Sequence, residues 1–136
     1  MRITGLYAAL LALITLVLAV RVMLLRKRTG IGLGDGGDRQ VACAVRSHGN
    51  AAEYIPLALL LLLILELNQT VPLLLHVFGI ALVLARLAHA FGLSRSPAYS
   101  AGRAIGAALS LIVIAAMALM LIWQYLVIHL IAPTLV

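Results

Sequence analysis

VRSHGNAAEYIPLALLLLLILEL, residues 45–67, joins a polar head to an uninterrupted hydrocarbon tail. Arg46, Asn50 and Glu53 stand at i, i+4 and i+7, so on a helix they share one face. From Leu57 to Leu65 no polar side chain follows. A run of this kind belongs in lipid, and an arginine, an amide and a carboxylate at its mouth require partners or a ligand.

The rest of the chain agrees. Of its 136 residues 65% are hydrophobic and 10% charged, where a soluble domain carries about a quarter charged residues. Four apolar segments are expected to be helices, at about 3–25, 40–67, 71–92 and 102–130. Each reaches the roughly 20 residues a helical span needs. Open strands cannot cross a bilayer, and the alternation of a barrel is absent. The fold class is therefore an all-α membrane protein, a four-transmembrane-helix bundle over 1–136. The first segment is read as a retained span and not a signal peptide, because Arg26-Lys27-Arg28 follows it as a stop-transfer pattern.

Basic residues set the expected orientation. Connection one holds Arg26, Lys27, Arg28 and Arg39, and connection three holds Arg95 beside Arg103. Asn68-Gln69-Thr70 holds no cation. Connections one and three are thus expected in the cytoplasm and both termini outside. Arg46, Asn50, Glu53, Arg86, His89 and Arg103 then form a polar layer near the cytoplasmic side. The formal charge of +6 is clustered in these connections and reports orientation. No basic stripe interleaved with aromatics is present, which excludes nucleic acid as a partner.

Gly30, Gly32, Gly34, Gly36 and Gly37 with Asp35 and Asp38 read as a flexible turn, since the Lys-Ser/Thr end of a P-loop is missing. Gly102, Gly106 and Ser110 give a small-xxx-small seam on the fourth helix. Cys43 reads as a small buried hydrophobe. No His, Cys or carboxylate cluster has metal-ligand spacing, so no metal is expected. His76 and His129 stand isolated. No nucleophile triad is present, and a reaction would need a nucleophile carried by a substrate.

Two readings of the polar layer follow. In one, Arg46 and Arg86 pair with Glu53 and merely fix helix register. In the other, the layer is a cationic pocket for a small zwitterionic or acidic ligand. Arginine offers forked donors to a carboxylate, Glu53 would accept from an ammonium group, and Asn50 can donate or accept.

Arg46-Ser-His-Gly-Asn50-Ala-Ala-Glu53-Tyr-Ile-Pro56 resembles the second-helix signature of the MAPEG superfamily, the membrane-associated proteins of eicosanoid and glutathione metabolism. Arg86-Leu-Ala-His89-Ala-Phe-Gly92 resembles its third-helix motif, and Gly34-Asp35-Gly36-Gly37 a loop of bacterial members. The resemblance implies a homotrimer in a bacterial inner membrane, with glutathione as cosubstrate held near the cytoplasmic side by Arg46, Asn50, Glu53, Arg86 and His89. It implies a thiolate-stabilising, catalytic role for Arg103 and a contribution from a first-helix arginine, Arg21 or Arg26. The expected activity is that of a glutathione S-transferase-like enzyme or peroxidase acting on lipophilic small molecules that arrive through membrane lipid. Depressing a thiol pKa by two units takes about 2.7 kcal/mol of preferential anion stabilisation, within reach of one guanidinium in a partly dry site. Gly49, Ala104 and Leu93 replace an arginine, a serine and a tyrosine of the prostaglandin synthase, so that particular chemistry is not implied.

Two alternatives stand beside this one. A non-catalytic lipid-binding scaffold of the same fold would bind lipid without turnover. A small multidrug-type transporter would need a carboxylate within the first helix, where this chain has none.

Overall fold

The computed structural model describes residues 3–95 and 101–131, except for the side chains of 91–95, 101, 103 and 131. Its helices are α1 (Ile3–Thr29), α2 (Arg39–Leu67), α3 (Pro72–Arg95) and α4 (Ala101–Leu126), with a π-helical turn at Val127–Ile131. All four are long and apolar enough to cross a membrane. They run up and down, so the α1 N-terminus, the α2–α3 turn and the C-terminal half of α4 meet at one end. The α1–α2 loop lies at the other, basic end.

Local chemistry sets the boundaries. α1 continues through Arg26-Lys27-Arg28, cations that suit a helix C-terminus, and stops where Gly30 takes φ +72°. The Gly30 N–H donates to the Arg26 carbonyl at 2.9 Å. Arg26 Nη1 then reaches the Ile31 carbonyl at 3.1 Å and holds the loop against the helix it leaves. Asp38 opens α2 as its N-cap, accepting from the N–H groups of Gln40 and Val41 at 2.7 and 3.0 Å. Pro72 begins α3, where a missing N–H does no harm.

Glu66, near the end of α2, reaches across to α1. Its carboxylate accepts from the N–H groups of Ile3 and Thr4 at 2.6 and 2.9 Å. α2 thereby caps α1, placing an anion on the unsatisfied donors at the positive end of that helix. Asn68 Nδ2 donates to Gln124 Oε1 at 3.0 Å, and Gln124 Nε2 donates to Thr70 Oγ1 at 2.8 Å, which ties α4 to the same end.

Tyr7 is buried, and its hydroxyl lies 2.8 Å from His76 Nδ1. His76 is therefore partnered, contrary to its isolation in sequence. The ring of Tyr7 lies across α3 at Gly79, where any Cβ would fall 2.2 Å from it. The central core consists of Leu11, Leu18, Ile55, Ala58, Leu62, Leu65, Leu75, Leu82, Val113 and Met117. At the basic end α3 and α4 approach closely, for a Cβ on Gly106 would stand 2.5 Å from the His89 nitrogen and 2.6 Å from the Ala85 oxygen. The small-residue seam on α4 thus serves α3 of the same chain.

Candidate functional site

Arg86 is the hub of the polar layer. It is only 4% exposed. Nη1 donates to Asn50 Oδ1 at 2.7 Å. Nη2 donates to the Gly106 carbonyl at 3.4 Å and to Ser110 Oγ, whose own hydroxyl donates to the Gly106 carbonyl at 2.7 Å. The guanidinium carbon lies 5.6 Å from the centre of the Tyr54 ring, a cation–π contact. One side chain from α3 therefore ties together α2 and α4 using neutral partners. Nε is buried and has no partner.

The register-fixing pair of Arg86 with Glu53 does not form, and the reason is rotational. The buried face of α2 runs through Ala44, Ser47, Ala51, Ile55, Ala58 and Leu62. At about 100° per residue, Arg46 and Glu53 fall nearly opposite that face, whereas Asn50 turns toward its flank. Asn50 is half-buried and meets Arg86; Arg46 and Glu53 are exposed. The three residues that share a face in outline are split by this turn into an inner amide and an outer charged pair. Among the described residues neither Arg46 nor Glu53 has a hydrogen-bond or ion-pair partner.

Arg86 also decides what Asn50 can offer. The amide oxygen is engaged, so the free capacity is chiefly the two N–H donors of Nδ2. The site presents donors from Asn50 and Arg46, and one acceptor in Glu53. Such a set suits a ligand with carboxylates or carbonyls and one ammonium group.

Glu53 lies deeper than a helix mouth. It is the middle residue of Arg39–Leu67, roughly 21 Å from either end at 1.5 Å per residue. From Leu57 to Leu65 the helix is pure hydrocarbon, so a hydrocarbon layer about 30 Å thick that ends at Leu67 would include this exposed carboxylate.

Of the remaining expected residues, the structure places His89 beside the hub. His89 is buried one helical turn from Arg86, beneath the close approach of Gly106. Arg103 belongs to the first turn of α4, at the register of Ser110 seven residues on; its side chain is outside the described residues. Arg21 lines a groove of about 310 Å³ between α1 and α3 with Leu13, Ile14, Val17, Leu18, Leu87 and Ala90. Arg26 is spent on the loop. Among the described residues no group of three His, Cys, Asp or Glu side chains converges.

Tyr54 and Ser110 belong to the layer without having been singled out for it. Tyr54 adjoins Glu53 in the motif, and Ser110 stood only in a packing seam. The signal available was their register, i+4 from Asn50 and i+4 from Gly106.

The sequence model described as MAPEG family matches residues 4–123 of this chain. An inner membrane protein YecN from Escherichia coli strain K12 is 40% identical over 90 residues, which is 66% of this chain and 69% of that protein. The YecN of an O6:H1 strain of the same species matches to the same extent.

Proposed function

The chain belongs to the MAPEG family, and from that premise we propose that it is a glutathione-dependent transferase or peroxidase of a bacterial inner membrane, assembled as a homotrimer with its basic end in the cytoplasm. The observation that carries this reading is the exposed pair of Arg46 and Glu53 on the outer face of α2, without a partner among the described residues. Placing a charged side chain at the middle of a span takes on the order of 2.5–3.5 kcal/mol on insertion scales. A second copy packed on that face, with a polar ligand between, removes the Glu53 charge from lipid and gives Arg46 a partner.

The donor set fits glutathione, which carries two carboxylates, one ammonium group and two amides. Arg46 takes a carboxylate through its fork. Asn50 Nδ2 donates to a second oxygen, and Glu53 accepts from the ammonium group. Arg86 acts from behind, fixing the Asn50 amide and the start of α4, while buried His89 closes the layer. The bound tripeptide supplies a thiol, the nucleophile toward a lipophilic electrophile or the reductant of a hydroperoxide. Arg103 stabilises the anionic form of that thiol. The surrounding apolar helices admit substrates from the bilayer and keep water scarce.

Calorimetric titration of the detergent-purified protein with glutathione tests the reading. Binding is expected, with the ultraviolet absorbance of a thiolate rising on mixture. Arg103→Ala is expected to bind glutathione and lose the absorbance. Absence of binding by the wild-type protein would refute the proposal.

One observation favours a lipid-binding scaffold as the second reading. The α1–α3 groove is apolar along its length and ends at Arg21, a shape suited to an acyl chain below an anionic group. Retention of lipid with no turnover of any electrophile or hydroperoxide would select it.

A further inference from the structure

The loop between α1 and α2 does not hang free of the site. Gly34 and Asp35 from the loop, with Ala42, Val45, Arg46 and Gly49 from α2, line a cleft of about 470 Å³. That volume lies in the range of small-molecule sites. The loop reaches this position through residues with positive φ: Gly34 at +68°, Gly36 at +56° and Gly37 at +79°. Asp35 Oδ1 accepts from the Gly37 N–H at 3.0 Å, and the Asp35 carbonyl accepts from the Asp38 N–H at 2.9 Å. These bonds anchor the Asp35 residue and leave its second carboxylate oxygen available.

Asp35 and Arg46 thus border one cleft with opposite charges, and among the described residues they make no ion pair with each other. The floor between them is small. Gly49 has nothing within 4 Å of where a Cβ would stand. The cleft continues along α2 as one stripe, because Ala42, Arg46, Gly49 and Glu53 recur at helical spacing. From Arg46 to Glu53 is seven residues, about 10.5 Å of helix. An extended tripeptide spans about 10–11 Å.

We propose that Asp35 is a specificity-determining residue, which with Arg46 grips the zwitterionic amino-acid end of the tripeptide in this cleft. The inference rests on the glutathione reading and changes one assignment within it. The ammonium group goes to Asp35 beside Arg46, where acceptor and donor stand together as a zwitterion requires. Glu53, deeper on the stripe, is then free to accept from a peptide N–H of the ligand. A thiol compound without the free amino group would be discriminated against by the loop.

The test is calorimetry on the full-length protein with two probes, glutathione and its analogue in which the amino group is replaced by hydrogen. Asp35→Asn is the informative variant, since asparagine retains the acceptor for the Gly37 N–H and the side-chain size. It is expected to weaken glutathione about tenfold to a hundredfold, the loss of one charge-assisted contact. It is expected to leave the analogue's affinity unchanged, with an unaltered melting temperature showing that the loop is intact. Equal glutathione affinity in Asp35→Asn and wild type would overturn the role of Asp35 while leaving the glutathione reading standing. Unchanged glutathione affinity in Asp35→Asn, with Glu53→Gln weakening glutathione but not the analogue, would return the ammonium group to Glu53. If wild type binds neither probe, both proposals fall.

Discussion

Arg86 and Arg46 are both arginines of the polar layer, yet they do opposite things. Arg86 is buried and satisfies Asn50, Gly106 and Ser110. Arg46 is exposed and has no hydrogen-bond or ion-pair partner among the described residues. Removing Arg86 takes a donor from the buried Ser110 oxygen, an unsatisfied group costing about 1–3 kcal/mol, and unties Asn50 from α3, so Arg86→Met is expected to lower the melting temperature in detergent. Arg86→Lys rescues little, because a single ammonium group cannot reproduce a fork that reaches two helices. Arg46→Ala is expected to leave the melting temperature unchanged and to weaken glutathione at least tenfold by calorimetry. A large thermal loss in Arg46→Ala would mean that the residue has a structural partner. The sequence placed both arginines in the layer but could not separate these roles. The separation depends on a rotation of about 40° around α2 and on contacts 20 to 36 residues apart.

At the scale of the helices, the spans were legible and their fastenings were not. Hydropathy marks four segments because lipid imposes the same requirement on every position of a span. Glu66 capping α1, Tyr7 meeting His76, and Gln124 bridging Asn68 to Thr70 join residues 54 to 69 positions apart. No local pattern announces such pairs. Glycine offers the same lesson, since its sequence context does not tell a packed position from an open one. Gly106 lies against the α3 backbone, and that backbone cannot swing aside as a side-chain tip can. Gly106→Ala is expected to separate α3 from α4, lowering the melting temperature and disturbing the Arg86–Ser110 contact. Gly49 has open space around it, and Gly49→Ala is expected to preserve stability or raise it by up to about 1 kcal/mol through helix propensity. Thermal unfolding of the two variants side by side checks the contrast. Equal behaviour would contradict the close α3–α4 approach.

The molecule as a whole leaves one surface unexplained by a single chain in lipid. Arg46 and Glu53 head a stripe on α2 that continues through Leu57, Leu60, Ile64 and Leu67, all exposed. The spacing is that of a helix seam. Leucine and isoleucine alone would be content against lipid tails, so the apolar half carries no argument for assembly. The charged half does, because it stands on the same face and its carboxylate, Glu53, is the middle residue of the helix. Copies that meet along this stripe bury the charges and bring the apolar positions of neighbouring α2 helices together. Leu60→Cys in a Cys43→Ser background is therefore expected to give disulfide-linked dimers on mild oxidation in membranes, with particles of trimer mass by native mass spectrometry. Leu13→Cys is the control, since Leu13 is 61% exposed but on α1, away from the stripe. It is expected to remain uncrosslinked. Cross-linking through Leu13 instead of Leu60, or a particle of monomer mass, would place the α2 charges in lipid and remove the reason for a ligand between copies.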